Sequence, residues 1–208
     1  SADWLRRYVS SDTPVHVQPV FSNVGEPDEV LPYEERDSYA VVFGGARRKN
    51  LIYQNQQALS EIVKRAPLDR ILDIGPEPNT GGPITDCVEV LGILPQSDVS
   101  NHLSRAMLGV ISYPGSRLGK SGVAAAFASH GVPFVLFDEE GRKRSVDPYI
   151  EGSHFWYWTD IKNRKEWVPQ NRIEKKSASI LDFYKNRVSS TRSGKRFYKV
   201  LRQTIKKK

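Results

Sequence analysis

The segment at residues 115–122 reads G-S-R-L-G-K-S-G and carries the residue types best suited to hold a phosphate. It follows an apolar run and precedes an alanine-rich run with the composition of a helix. The first backbone N–H groups of a helix have no partner inside it, and the helix dipole favours an anion there. Arg117 and Lys120 add positive charge, and Ser121 adds a hydroxyl donor. We therefore predict a phosphate-binding loop, with an ordinary turn bearing two solvated cations as the alternative.

The same segment approaches a Walker A loop but lacks its spacing. That motif places four residues between its first glycine and the Gly-Lys pair. Here only Ser116, Arg117 and Leu118 separate Gly115 from Gly119. A degenerate P-loop protein therefore stays an alternative rather than the leading interpretation.

Five short apolar segments alternate with helical patterns around this loop. Continuous apolar strands separated by helices are typical of a parallel sheet that is covered on both faces. Ligands bind such sheets at the carboxyl ends of the strands, where this sequence places several glycines. We therefore predict an α/β fold with a Rossmann-like sheet and a ligand site along that edge. The predicted strands are residues 39–43, 70–74, 88–91, 108–112 and 133–137, and the predicted helices are residues 50–65, 97–105 and 120–129.

Charge is distributed unevenly along the chain. Residues 161–208 hold 16 basic and three acidic residues, a net charge of +13, although the whole chain carries +7. Apolar stripes at residues 180–188 and 197–205 predict basic C-terminal helices. These helices indicate an anionic partner such as a membrane surface, whereas no nucleic-acid recognition module is visible. A solvated basic surface is the alternative.

The remaining polar and aromatic features indicate location and packing. The single cysteine, Cys87, excludes an internal disulfide and a zinc site and indicates a reducing cytoplasm. No run approaches the roughly 18–20 apolar residues of a membrane span. We expect His130, at a predicted helix end, to cap or pack rather than catalyse. The aromatic run at residues 155–158 fits a buried patch better than a sugar-stacking surface.

Five motifs follow one another along the core: G-G-A-R-R-K-N, I-G-P, V-L-G-I-L-P-Q-S-D-V, V-I-S-Y-P-G-S and S-H-G-V-P. In this order they resemble the C-terminal, donor-binding domain of GT-B-fold glycosyltransferases, especially the retaining group that makes surface polysaccharides. The resemblance covers about residues 39–136. It implies transfer of a hexose from a nucleotide-diphosphate sugar to a glycan or glycolipid in envelope or exopolysaccharide synthesis, without a metal or other cofactor.

The resemblance assigns donor-binding roles by position. The loop after the first strand holds donor phosphates, the stretch after the third lines the base, and the loop after the fourth meets the sugar and diphosphate. The implied donor-binding residues are Gly44, Gly45, Arg48, Lys49, Gly75, Gly92, Ile93, Leu94, Gly115, Ser116, Arg117, Gly119, Lys120, Ser121 and Gly122. The family's two glutamates, eight positions apart, align with Leu118 and Ala126, and no catalytic residue is assigned. The base, sugar, acceptor and stereochemistry stay open.

The resemblance also divides the chain into three regions. Residues 1–37 are expected to be the remnant of a preceding acceptor domain and an exposed linker, with a short helix near the start and a strand at residues 16–21. Residues 38–150 are expected to form the nucleotide-sugar-binding core, and residues 151–208 the aromatic segment and basic helices. The resemblance also implies that the last helix can cross back and pack on the preceding domain through Phe197, Val200 and Leu201, which is an alternative to membrane contact. We expect a cytoplasmic protein, peripheral at the inner face of the membrane, that binds nucleotide but transfers no sugar without its acceptor domain. A stand-alone nucleotide- or phosphate-binding module is the alternative.

Overall fold

One parallel sheet organises the fold. The computed structural model describes residues 5, 7–78, 84–138, 148–163 and 170–205. Within these ranges, six strands pair in the order β3-β2-β1-β4-β5-β6, and every neighbouring pair is parallel. The strands are β1 (Asp37–Phe43), β2 (Arg70–Ile74), β3 (Val88–Gly92), β4 (Ala106–Ser112), β5 (Phe134–Phe137) and β6 (Phe155–Tyr157). The predicted α/β class with a Rossmann-like sheet is confirmed.

Helices cover both faces of the sheet. They are α1 (Ala46–Tyr53), α2 (Gln56–Arg65), α3 (Gln96–Arg105), α4 (Gly122–Ser129), α5 (Trp158–Lys162), α6 (Gln170–Phe183) and α7 (Ser190–Ile205). Two 3-10 helices span Tyr33–Glu35 and Gly115–Lys120, and a π-helical turn spans Tyr184–Val188. Because side chains alternate along a strand, Val41 joins one buried apolar cluster with α3 and α4, while Val42 joins the other with α1 and α2.

The helix predicted at residues 50–65 is divided in two. α1 ends at Tyr53, and α2 begins at Gln56. At the turn between them, the Asn55 side-chain amide donates to the Leu51 carbonyl at 2.9 Å. This contact satisfies an acceptor at the end of α1 and lets the chain change direction.

The segment predicted as an exposed linker is held against the rest of the domain at two points. Arg36 is buried and donates to the carbonyl oxygens of Ala106, Gly131 and His130 at 3.0–3.1 Å. Glu26 accepts from both the backbone and the hydroxyl of Ser190, at the start of α7. These contacts hold the segment at two points, while Asp28, Glu29, Glu34 and Glu35 are exposed as predicted.

The sequence predicted a strand and a short helix in the first 21 residues. Residues 16–21, predicted as a strand, are not in one, although the Val20 N–H donates to the Gly119 carbonyl at 2.9 Å. Of the short helix predicted near residues 4–9, Leu5 is helical and Arg7 and Tyr8 form a turn, while residues 4 and 6 lie outside the described residues.

The aromatic run is the sixth strand of the sheet. Phe155 stacks on Phe134 of the neighbouring strand, with ring centroids 5.5 Å apart and planes 5° from parallel. The predicted burial is confirmed, and the sheet extends beyond residue 150, where the core was expected to end. In the described part of the chain, no helix is both long and apolar enough to cross a membrane.

Candidate functional site

A cavity of about 140 Å³ opens where the strand order reverses. β1 and β4 lie side by side at the centre of the sheet, while their following strands, β2 and β5, lie on opposite sides. The connections after β1 and β4 therefore diverge and leave a crevice at their carboxyl ends, the usual ligand position in such folds. The cavity is lined by Asn23, Phe43, Gly44, Gly45, Arg48, Lys49, Ile52, Ile111, Ser112, Tyr113, Lys120, Ser121, Gly122 and Val123.

The turn from β1 into α1 forms one wall of this cavity. Gly44 has φ +138°, in the region that favours glycine, and Gly45 is the N-cap residue of α1. No side chain caps this helix, so its first turn presents backbone N–H groups to the crevice. Gly75 lies directly behind the turn: a Cβ there would stand 2.5 Å from the Gly44 carbonyl oxygen. The two glycine turns therefore support each other.

The start of α4 forms the opposite wall. Residues 115–120 are a 3-10 helix, so α4 begins at Gly122, two residues later than predicted. Ser121 is buried, and its hydroxyl oxygen accepts from the Ala124 N–H at 3.1 Å. This contact makes Ser121 an N-cap residue. Asn23, which no sequence motif identified, packs against Gly122. A Cβ added to Gly122 would lie 3.1 Å from the Asn23 Cγ.

Three cations among the described residues line the cavity, but they are in different environments. Arg48 and Lys120 are exposed, and the Arg48 guanidinium lies 4.7 Å from the centroid of the Tyr113 ring. Lys49 is only 1% exposed and forms an ion pair with Asp73 of β2, which is fully buried. Its charge is thereby balanced inside the protein, which leaves Arg48 and Lys120 facing solvent at the cavity.

Asp73 also accepts a hydrogen bond from the Tyr53 hydroxyl. Burial, followed by this hydrogen bond and the carboxylate charge, raises the pKa of Tyr53 well above its usual range. The tyrosine is therefore a donor at any physiological pH. A buried lysine, aspartate and tyrosine thus connect α1 to β2 beneath the cavity. Sequence reasoning missed Asp73, although a lone carboxylate in an apolar strand was the signal for a buried charged partner.

The other residues predicted for donor binding lie around the cavity rather than on its wall. The Gly115 N–H donates to Asp138 Oδ1 at 3.0 Å, so the start of the loop faces the end of β5. Ser116, Arg117 and Gly119 follow on the same 3-10 helix. At the far edge, the Gly92 carbonyl accepts from the Gly75 N–H at 2.7 Å.

The residues after Gly92 differ in exposure. Ile93 is 78% exposed, whereas Leu94 packs partly on the core. Among the described residues, no three His, Cys, Asp or Glu side chains lie close enough together to hold a metal ion.

His130 is a packed core residue, as predicted. Its Nε2 lies 2.8 Å from the Ser100 hydroxyl, and its Nδ1 lies 2.8 Å from the Ala126 carbonyl. Burial lowers its pKa to about 4. The neutral ring therefore donates from Nδ1 and accepts at Nε2, which joins α4 to α3.

No known protein family matches the sequence, and no curated protein matches it either. Solved structures do match the fold. Sucrose-phosphate synthase from Thermosynechococcus elongatus matches with a TM-score of 0.63 and 16% identity, over 100% of this chain and 57% of that one. An alpha-glucosyltransferase in complex with UDP-glucose and DNA containing an abasic site has a TM-score of 0.62 and 10% identity, over 93% and 60%.

A third match is AviGT4, a glycosyltransferase involved in avilamycin A biosynthesis, with a TM-score of 0.55 and 13% identity over 93% and 58% of the two chains. The chain thus spans 57–60% of the length of these three structures. These neighbours are GT-B glycosyltransferases, and the predicted fold of a GT-B C-terminal domain is confirmed.

Proposed function

We propose that this chain is the donor-binding half of a glycosyltransferase that uses a nucleotide-diphosphate sugar. The observation that carries the proposal is the cavity at the strand reversal, where the N-termini of α1 and α4 face one crevice beside Arg48 and Lys120. Two helix N-termini and two exposed cations suit a ligand with closely spaced negative charges. A matching fold has been solved in complex with UDP-glucose, which supports the same ligand class here.

The same groups would assist the reaction itself. When the sugar leaves, negative charge develops on the nucleotide diphosphate, and fixed donors stabilise it without reorganising. Each helix N-terminus contributes about 0.3–1 kcal/mol to an exposed anion. Arg48, held over Tyr113, and Lys120 would supply charge-assisted hydrogen bonds. We propose that these groups take the role that a divalent metal has in other transferases.

The size of the cavity indicates which part of the donor it holds. Pockets for whole ligands measure about 300–1,000 Å³, whereas this one measures about 140 Å³. We therefore place the diphosphate in the cavity, the base along the edge near Ile93, and the sugar near Gly115. An acceptor domain across the crevice would enclose the donor, so this half alone should bind nucleotide without turnover.

Recognition of the sugar must differ from the resembled family. The positions where that family carries glutamates hold Leu118 and Ala126, and both are fully buried in the core. No carboxylate can reach a sugar hydroxyl from either position. We propose a hexose donor whose hydroxyls are met by other groups on the rim, and a glycan or glycolipid acceptor in envelope or exopolysaccharide synthesis.

The basic helix α7 supports a peripheral location at the cytoplasmic face of a membrane. It carries Arg192, Lys195, Arg196, Lys199 and Arg202 and contains no acidic residue. Phe197 and Tyr198 are about 60% exposed. Each cation near an anionic bilayer contributes about 1 kcal/mol, so this helix would bring the protein to a lipid-linked acceptor.

Calorimetry with UDP, GDP, ADP and ATP, with and without magnesium, tests the proposed function. We expect UDP or GDP to bind without magnesium, and Lys120→Ala to weaken that binding about tenfold, since one screened charge-assisted contact is lost. The matched control is Lys64→Ala, an exposed lysine of α2 outside the cavity. Magnesium-dependent ATP binding would instead support the phosphate-binding module without transferase activity. Equal UDP affinity in Lys120→Ala and the parent would contradict the role of the cavity.

A further inference from the structure

A second concave surface lies on the other side of α1 from the diphosphate cavity. A pocket of about 180 Å³ opens at the carboxyl ends of β5 and β6, and a groove of about 760 Å³ runs between the α1–α2 turn and α5. The two share Asn55 and Trp158, so they form one continuous surface, called here the flank groove. None of its lining residues lines the diphosphate cavity. Its size falls in the range of ligand sites.

An aromatic ring held in a fixed orientation stands at the junction of the flank groove. Trp158 is half-buried and stacks on Phe137, with centroids 5.6 Å apart and planes 11° from parallel. Phe137 is buried in the core at the end of β5. A rigid, partly exposed indole offers a flat apolar surface and a polar N–H at low entropic cost.

Amide side chains line the same groove as this ring. Four consecutive amides, at residues 54–57, span the α1–α2 turn and the first two residues of α2, and Gln54, Asn55 and Gln57 are exposed. All four line the groove. An amide both donates and accepts, so it matches a hydroxyl, which does the same. The Asn55 Nδ2 donates a hydrogen bond to the Leu51 backbone carbonyl. This contact fixes the Asn55 side chain and leaves its own Oδ1 as an acceptor.

Among the described residues that line the flank groove, the charges balance. Glu61 and Arg65 form an ion pair at 2.6 Å, and Lys162 and Asp138 supply one further charge of each sign. This balance contrasts with the two exposed cations of the diphosphate cavity and with the uniformly basic α7. The groove is therefore suited to an uncharged ligand rather than to a phosphate, a nucleic acid or an anionic lipid.

We infer that the flank groove is a binding site for a neutral oligosaccharide. A sugar ring has an apolar C–H face, which packs on an indole, and a rim of hydroxyls, which hydrogen-bond to amides. The volume of the groove is sufficient for several sugar units. The groove ends at Asp138, whose carboxylate accepts a hydrogen bond from the Gly115 N–H. This inference is independent of nucleotide binding, because the two sites share none of the described residues.

Calorimetric titration of the intact chain with maltohexaose, cellohexaose and chitohexaose tests the inference. We expect at least one of the three to bind, and the double variant Gln54→Ala/Gln57→Ala to bind it about tenfold more weakly, because two hydrogen bonds are lost. Gln203→Ala, an exposed glutamine on α7, is the matched control and should bind like the parent. Trp158→Ala should lose about tenfold or more, and Trp158→Phe, which keeps a ring and the packing on Phe137, should lose less.

UDP titration of the same variants separates the two sites, because UDP affinity should not change with the glutamine substitutions. Absence of binding by all three oligosaccharides would overturn the inference. So would unchanged affinity in Gln54→Ala/Gln57→Ala. A dimer that the glutamine substitutions dissociate, measured by light scattering, would also overturn it, since a second copy would then cover the flank groove.

Discussion

The buried ion pair between Lys49 and Asp73 gives the sharpest test of how α1 is held in place. Its two side chains are 1% and 0% exposed. Replacing Lys49 with Met leaves the Asp73 carboxylate buried without a cation, a change that costs about 3–5 kcal/mol. Because the Tyr53 hydroxyl still donates to Asp73, we expect the lower end, about 3 kcal/mol. That is a large part of the roughly 5–15 kcal/mol that holds a domain folded.

Urea unfolding followed by circular dichroism measures this cost. Lys49→Met/Asp73→Asn should regain most of the loss, because Asn is uncharged and still accepts from Tyr53. Lys120→Ala is the control at an exposed lysine and should change the free energy of unfolding by no more than about 0.5 kcal/mol. UDP affinity should fall about tenfold in Lys120→Ala and less than about threefold in the double variant. If Lys49→Met were as stable as the parent but failed to bind UDP, Lys49 would be a ligand residue and the reasoning would be refuted.

Three further perturbations test the turns, the buried histidines and the basic helix. Gly75 has φ +114°, and in Gly75→Ala the new Cβ would stand 2.5 Å from the Gly44 carbonyl oxygen, so we expect the free energy of urea unfolding to fall by more than about 1 kcal/mol. In Gly45→Ala the new Cβ meets nothing within 4 Å, so this variant should be about as stable as the parent. Burial lowers the pKa of both His130 and His154 to about 4. As the pH falls, these histidines therefore become protonated in the unfolded chain before they do in the folded protein. The free energy of unfolding should fall between about pH 6.5 and pH 4, by up to about 1.4 kcal/mol per pH unit for each histidine. Removing residues 190–208 should abolish pelleting with vesicles of anionic phospholipid, while pelleting with neutral vesicles stays low in both proteins.

Each of these expectations has a contradicting result. Equal stability of the two glycine variants would mean that the paired turns do not support each other. A His130→Gln protein with the same acid sensitivity as the parent would remove that histidine from the explanation. Unchanged pelleting after the truncation would count against membrane contact through α7.

The central sheet was predictable because buried parallel strands read as continuous apolar runs. The predicted strands at 39–43, 70–74 and 108–112 all fall inside the observed ones. β6 was not predicted as a strand, because its three residues are aromatic and too few to show a period. The division of α1 from α2 falls at Asn55, whose backbone is not helical and whose side chain donates to Leu51, and a smooth helical pattern conceals it.

The position of the cavity was predictable, but the environment of each side chain in it was not. Glycines after β1 and basic residues near them indicated the edge of the sheet where the cavity lies, because strand ends and helix starts leave a local signature. Lys49 and Arg48 are adjacent in sequence, and no pattern distinguishes the buried one from the exposed one. Lys49 is the buried one because its partner, Asp73, lies on β2 beneath α1. Asn23 reaches the cavity from a segment with no periodicity, so only the fold reveals it.

A crystal structure of this chain with UDP tests the central claim most directly. We expect the diphosphate between the N-termini of α1 and α4, within hydrogen-bonding distance of Arg48 and Lys120, with the uracil directed toward Ile93, which follows β3. A diphosphate bound elsewhere, with this cavity holding solvent alone, would contradict the claim that the strand reversal is the donor site.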